Sequence, residues 1–429
     1  MHENRKTATV AVPAPQAPAD GVTALRPSSV PTSEPLPSES PKARVPVRER
    51  ALERLSAFIA FAGRTHSPYQ AAVIRIGYGF FVTCYLLREW PNRRVLFGDH
   101  NPWSLTMARA LVSDTHAFTV LTWSGGRWWF ECVYLGAIAA AVLLMLGWRT
   151  RGTAVLFLVG VLAIENRSPF AGDAGDDIIR IMAVYLAFTR CGRVWSLDAR
   201  RDGSRAGDAG RDRAGPALWF TLAPPLLWAS CFHWDGWLGV FWVMWSLQGL
   251  CLALDRWAPR HAMRSLLDSG AAMLHNCAML VIAAQICFIY ASAGLYKSHG
   301  TKWQDGSAVY YAMQLDLFRP WPWLTGLVSA NMLLVFVLCY GTVIMQISFP
   351  FTLMYRKIKN VLLAVMILEH VGIAVILGIP FLSLAMIVSD LVFLPTALLV
   401  WADGRFALLV RRLRERREQY RGGPCLEGS

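Results

Sequence analysis

Ten long apolar runs constrain this 429-residue chain more than any other feature of its sequence. The runs cover residues 71–87, 128–147, 152–164, 178–189, 217–232, 236–254, 271–296, 331–355, 361–378 and 381–402. A membrane span needs roughly 17–25 mostly apolar residues, and most of the runs reach that length unaided. Open sheets cannot span hydrocarbon and barrel strands alternate in polarity, so continuous runs predict an all-α, polytopic helical membrane bundle of about 8–10 transmembrane helices.

Composition excludes several other classes of protein. The chain is 55% hydrophobic and only 17% charged, whereas soluble domains average roughly 25% charged residues. Its net charge of +13 lies in short basic clusters between the apolar runs, which argues for membrane topology and against a nucleic-acid partner. The nine cysteines form no Cys-x-x-Cys pair and show no metal-ligand spacing, so no metal site is expected.

Four segments follow from these patterns. Residues 1–46 are rich in Pro, Ala and Ser and predict a disordered tail. Residues 47–66 place Leu52, Leu55 and Ile59 on one helical face beside several arginines, which predicts an amphipathic helix at the membrane interface. Residues 67–402 form the predicted transmembrane domain, and residues 403–429 form a basic tail.

The basic clusters also predict an orientation. With the N-terminus inside, the connections at 148–151, 190–213, 255–264 and 355–359 and the C-terminal tail all lie inside, and all are basic. The 190–213 stretch alone holds seven arginines against four aspartates. The positive-inside rule therefore predicts a multi-pass protein of the cell membrane with both termini in the cytoplasm.

Charged residues at membrane depth are the candidate functional groups, because each costs at least ~2.5–3.5 kcal/mol at a helix centre. Most of them lie toward the outer face in this topology and are expected to line one outward-facing cavity: Glu131, Asp173, Asp176, Asp177, Arg180, Lys297, His299 and Lys302. Glu369 and His370 lie deeper in their span. A lysine partly removed from water can act as a base near neutral pH, and a nearby histidine can relay a proton.

Structural explanations compete with these functional ones. Lys297 can extend to the lipid head groups, and His370 can be a core histidine bonded to a neighbouring carbonyl. The Asp173–Arg180 group can be an ion pair that closes two short helices. Arg75, near the inner end of the first span, is expected to be structural or lipid-facing.

Three stretches resemble a known family. Residues 290–303, with Ala293-Gly294, Lys297 and Trp303, followed by residues 305–311, resemble the Ala-Gly-x-x-Lys…Trp…Gly segment of the vitamin K-dependent gamma-carboxylase superfamily. Residues 369–395 are similar to its His…Ile-Gly-x-Phe…Met…Phe…Pro stretch, and residues 195–198 match a third piece. Residues of about 60–400 thus resemble the bacterial HTTM (horizontally transferred transmembrane) domain branch.

This resemblance implies roles for two residues. Lys297 occupies the position of the base that deprotonates reduced vitamin K, and His370 that of a histidine that supports this chemistry, so the implied cofactor is a quinone or vitamin K-like lipid. The family's Asn-Asn-His segment is replaced by the Asp173–Asp177 group, so its second histidine is missing. The family's large extramembrane C-terminal domain is also not expected here, and glutamate carboxylation of a protein is therefore not predicted.

Two functions remain open at this stage. One is a membrane enzyme that acts on a quinol or another lipid-soluble cofactor, with Lys297 as the base. The other is a non-enzymatic membrane factor for the maturation of, or immunity to, a small secreted peptide. The expected partners are membrane lipid and either a small peptide or an oxidoreductase.

Overall fold

A computed structural model describes residues 54, 56, 57, 60–204, 214–232, 236–258 and 260–421 of the chain. The predicted tail at 1–46, half of the predicted interfacial helix at 47–66, and residues 205–213 and 422–429 lie outside the described residues. The described part contains helices and loops and no strand, as the sequence predicts.

Each of the ten apolar runs overlaps one or two helices, and six other helices of the described part lie in the connections between the runs. The helices are α1 (Pro68–Arg88), α2 (Arg93–Leu96), α3 (Leu105–Thr115), α4 (Arg127–Leu146), α5 (Thr150–Glu165), α6 (Ala174–Ala187), α7 (Leu197–Ser204), α8 (Ala214–Phe232), α9 (Gly236–Trp257), α10 (Ala262–His299), α11 (Thr301–Gln304), α12 (Ala308–Gln314), α13 (Pro322–Ser329), α14 (Met332–Thr352), α15 (Arg356–Ile376), α16 (Pro380–Asp390) and α17 (Thr396–Arg421). Three short 3₁₀ turns add Val120–Thr122, Asp316–Phe318 and Leu391–Phe393. A helix satisfies its own backbone groups, which hydrocarbon requires.

Within the described ranges, six helices are long and apolar enough to cross a membrane, or up to seven if a bent pair counts as one span. The six are α1, α4, α9, α10, α14 and α15. Helices α5 and α6 have 16 and 14 residues, so at 1.5 Å per residue they measure about 24 and 21 Å, less than a ~30 Å hydrocarbon core. The polar loop between Glu165 and Ala174 separates the two helices and lengthens neither of them.

The run at 381–402 is broken, although the sequence predicts one span there. Helix α16 and its 3₁₀ extension end at Phe393, and α17 leaves at an angle of 101°. Pro395 disfavours helical geometry at Leu394, whose ψ is 138°. The carbonyl of Leu394 instead accepts a hydrogen bond of 2.9 Å from Nε2 of Gln70 on α1.

The core lies where α1, α4, α5, α6 and α16 pack together. Arg75 is fully buried there and donates to the carbonyls of Leu144 (2.6 Å) and Met145 (2.9 Å) at the end of α4, and to that of Trp195 (2.7 Å). Arg75 is therefore structural, as expected, and does not face lipid. A second layer, in which α10 packs on α14 and α15 on α16, carries the candidate site.

Candidate functional site

A hydrogen-bonded chain links three helices at Lys297. Its Nζ donates to Oε1 of Gln346 on α14 at 3.0 Å, and Nε2 of Gln346 reaches Oε1 of Glu369 on α15 at 3.4 Å. Oγ1 of Thr342, one turn before Gln346, donates to the same oxygen at 2.9 Å. Gln346 is buried, Lys297 and Glu369 are half-buried, and the Nζ of Lys297 lies 5.4 Å from the ring centroid of Trp303.

Close packing of α10 on α14 brings Lys297 to this position. Gly294, one turn before Lys297, has no side chain to hold the helices apart. A Cβ added there would lie 2.7 Å from Cγ1 of Ile347 and 3.0 Å from its backbone nitrogen. The Ala-Gly-x-x-Lys pattern therefore combines a contact point with a lysine three residues later on nearly the same helical face.

A second chain of polar groups starts at the neighbouring residue of α15. Nε2 of His370 lies 3.2 Å from the hydroxyl of Tyr290 on α10, and that hydroxyl donates to Oδ2 of Asp390 on α16 at 2.8 Å. All three side chains are at most 5% exposed, so water cannot replace these bonds. Because the single hydroxyl proton goes to Asp390, Nε2 of His370 is the protonated nitrogen in this arrangement, and Nδ1 carries a lone pair when the ring is neutral.

Three buried polar atoms at this place have no hydrogen-bond partner among the described residues: Oε2 of Glu369, Nδ1 of His370 and Oδ1 of Asp390. The two chains are also coupled electrostatically, because the charge of Glu369 interacts with Lys297, Tyr290 and Asp390. Buried polar atoms normally find a partner, so these three unpaired atoms are the acceptors of the site that have unused hydrogen-bonding capacity.

The remaining candidates after Lys297 lie at the exposed end of α10. His299 is exposed and its Nδ1 bonds the carbonyl of Leu295 at 2.8 Å. Lys302 pairs with Asp305 at 3.7 Å and lies 4.5 Å above the ring of Tyr311. A hydrogen bond from the Ser307 hydroxyl lowers the pKa of Asp305 below its usual range, which keeps this carboxylate available to Lys302.

The acidic candidates of the α5–α6 connection have local structural partners. Asp173 and Asp176 form a capping box at the start of α6, with Asp173 accepting from the backbone of Gly175 at 2.6 Å. Asp177 pairs with Arg180 at 2.6 Å. None of the described hydrogen bonds or ion pairs joins this group to Lys297, and a shared cavity stays a prediction.

Glu131 on α4 likewise has its own partner. Both of its carboxylate oxygens accept from Arg93, from Nε and Nη2, at 3.0 Å each. This two-point geometry holds the loop after α1 against the start of α4.

Sequence reasoning did not single out Tyr290, Gln346 and Asp390 as site residues. Asp390 is a carboxylate inside an apolar run, so the sequence carries the same signal for it as for Glu369. Tyr290 lies seven residues before Lys297 and thus two helical turns along nearly the same face. Gln346 is uncharged, so a search for charged residues passes over it.

The described residues contain no group of three or more His, Cys, Asp or Glu side chains placed to hold a metal ion. Comparison of the chain with protein-family models, with curated proteins and with solved structures finds no match in any of the three. The two polar chains that meet on α15 are therefore the features of the described structure that point to a function.

Proposed function

We propose that this chain is a multi-pass membrane protein of the HTTM branch that uses Lys297 as a base toward a quinol or similar lipid-soluble cofactor. The proposal includes about 8–10 spans with both termini inside, and protein carboxylation is not part of it. One observation carries the proposal. A lysine, two carboxylates, a histidine and a tyrosine form two adjoining hydrogen-bonded chains inside a helical bundle with several apolar helices of membrane-spanning length.

The immediate partner of Lys297 supports a basic role. Gln346 is a neutral amide, so its contact does not hold a positive charge on the amine as a carboxylate in direct contact would. When the amine takes the proton of a cofactor hydroxyl, an N–H bond forms at Nζ as the O–H bond breaks. Glu369, on the other side of Gln346, then offsets the new positive charge.

His370 offers a second contact on the same stretch of α15. With Nε2 held by Tyr290, the unpaired Nδ1 is free to accept a hydrogen bond from a second hydroxyl. Tyr290 and Asp390 act through His370 and are positioning residues. A quinol has an apolar body and hydroxyls that can donate hydrogen bonds. It therefore matches the unpaired acceptor atoms of this site. Once bound, it supplies the acidic hydroxyl and the redox-active ring.

The test is quinol-dependent oxygen uptake by the purified full chain in lipid nanodiscs, with a short-chain naphthoquinol as the probe. We expect Lys297→Met to abolish uptake, because no other amine contacts Gln346 in the described structure. His370→Ala should lower uptake by about 100-fold, the usual scale for a lost proton-transfer group. Lys357→Met, an exposed lysine at the start of α15, removes the same charge as the matched control.

Two results would contradict the enzyme proposal. The first is wild-type protein that inserts and folds but takes up no oxygen with any quinol tested. The second is Lys297→Met with unchanged uptake while the protein melts at the wild-type temperature. Either result favours the alternative, a non-enzymatic factor for a small secreted peptide.

A further inference from the structure

A basic cavity opens at the end of the bundle where α5 begins. Its lining residues are distant in sequence from Lys297. Its volume is about 620 Å³, and it lies among α5, α7, the start of α8, α9 and the start of α10. Six arginines line it: Arg149, Arg151, Arg190, Arg193, Arg201 and Arg264. Only two carboxylates, Asp198 and Asp255, face the same space.

The carboxylates of this cavity are already engaged. Asp198 accepts hydrogen bonds from the backbone N–H groups of Arg149 (2.9 Å) and Thr150 (2.8 Å) at the start of α5. Asp255 pairs with Arg264 at 2.5 Å. Arg151 and Arg193 are exposed to the cavity, and within the described residues no hydrogen bond or ion pair joins either of them to a carboxylate.

An apolar cavity of about 210 Å³ adjoins the basic one inside the bundle. It lies between α5 on one side and the α8–α9 hairpin on the other. Its walls are almost entirely apolar and include Val155, Leu156 and Val159 of α5 and Phe241 of α9. Val159 lies seven residues after Gly152, so at 1.5 Å per residue this wall runs about 10 Å along α5.

Gly152 and Gln248 line both cavities and form the neck between them. A Cβ added at Gly152 would lie 3.1 Å from Cδ2 of Leu218 and 3.7 Å from Nε2 of Gln248. A larger side chain at position 152 would occupy the neck, where Leu218 and Gln248 already lie close by.

We propose that this pair of cavities binds one anionic membrane phospholipid. Arg151 and Arg193 hold the phosphate, because guanidinium groups bind phosphate oxygens with charge-assisted hydrogen bonds. One acyl chain passes Gly152 and packs against the apolar walls of the second cavity. A free phosphate would leave the apolar cavity empty. A lipid without net charge would leave the positive charge of the arginines uncompensated. The site is separate from the proposed cofactor site.

The first experiment measures lipid binding to the purified full chain by native mass spectrometry. Phosphatidylglycerol is the probe. The comparisons are phosphatidylcholine, a zwitterionic lipid whose choline cation offsets its phosphate, and glycerol 3-phosphate, which is a head group without acyl chains. We expect phosphatidylglycerol to bind one-to-one and both comparisons to bind weakly. Arg151→Gln/Arg193→Gln should weaken binding by about 30-fold, since each arginine near an anionic head group contributes about fivefold and the two factors multiply. The control Arg412→Gln/Arg416→Gln on α17 removes the same charge and should leave binding unchanged.

The second experiment tests the neck and the apolar cavity. Gly152→Leu should abolish phosphatidylglycerol binding, while Gly136→Leu, at a glycine with open space around it, should not. Val159→Phe fills the apolar cavity deeper in and keeps the test valid if Gly152→Leu does not fold. Equal loss of binding in the Arg412→Gln/Arg416→Gln control would overturn the proposal, because it would reveal a diffuse surface charge. Glycerol 3-phosphate that binds as tightly as the lipid, or unchanged binding in all cavity variants, would overturn it as well.

Discussion

The hydroxyl of Tyr290 is the one group that joins His370 to Asp390, so Tyr290→Phe is a sharp perturbation of the site. The ring itself stays useful, because it packs edge-on against the ring of Phe349 with the centroids 5.6 Å apart. The substitution therefore removes two hydrogen bonds, of 3.2 and 2.8 Å, and little apolar contact.

The expected cost follows from burial and from the membrane reference state. Tyr290 is 1% exposed, so water does not enter to satisfy the two groups left behind. Hydrogen bonds between helices in a membrane average about 0.6 kcal/mol and reach about 1.7 kcal/mol. Two such bonds predict that Tyr290→Phe lowers the free energy of unfolding by about 1–3 kcal/mol.

Reversible unfolding by dodecyl sulfate in mixed micelles measures this free energy. Tyr296→Phe is the matched control, because Tyr296 lies six residues later on the same helix and is 84% exposed. We expect it to change the free energy of unfolding by less than about 0.5 kcal/mol.

A double-mutant cycle with Asp390→Asn decides whether the two residues interact as described. Residues in direct contact show coupling of at least about 0.5 kcal/mol, whereas independent sites add. Strict additivity of Tyr290→Phe and Asp390→Asn, or a Tyr290→Phe protein as stable as wild type, would refute the hydrogen-bonded chain through Tyr290.

Two further predictions concern structure outside the candidate site. Arg75→Met should lower the free energy of unfolding by about 3–5 kcal/mol in the same titration, because buried carbonyls lose a charged donor, while the exposed Arg127→Met should change it by less than about 0.5 kcal/mol. The hydrogen bond from Arg94 lowers the pKa of Asp99 to about 2 from an ordinary 3.8. The ion pair therefore stabilises the loop fully at pH values above 3.8, and this stabilisation is lost as the pH falls toward 2. The stability difference between wild type and Asp99→Asn should shrink over that interval, and a constant difference would contradict the assignment.

The apolar runs predict the long helices well because membrane-spanning length and apolarity are properties of one continuous segment. The run at 128–147 corresponds to α4 (Arg127–Leu146) within a residue at each end. The run at 271–296 is shorter than α10, which starts at Ala262. The first turns of this helix carry polar residues and therefore lie outside the apolar run. The run at 381–402 contains a bend of 101° between Phe393 and Thr396, which hydropathy alone does not show because it measures apolarity and not backbone geometry.

The site is only partly visible in the sequence. Lys297 and His370 follow from charge at membrane depth and from the resemblance, and the structure places each in a hydrogen-bonded chain. Their partners do not follow, because Gln346 lies 49 residues from Lys297 in the chain and Asp390 lies 100 residues from Tyr290. Side-chain pairing at that separation depends on how helices pack, which hydropathy does not encode.

The sequence by itself determined that this chain is helical and built around segments of membrane-spanning length. That result is local, because each backbone group in hydrocarbon must find its partner within its own helix. Only the tertiary structure decided which polar groups meet: Lys297 with Gln346 and Glu369, and His370 with Tyr290 and Asp390. Close contacts such as Gly294 on Ile347 set those meetings, because they fix the separation and rotation of helices that lie far apart along the chain.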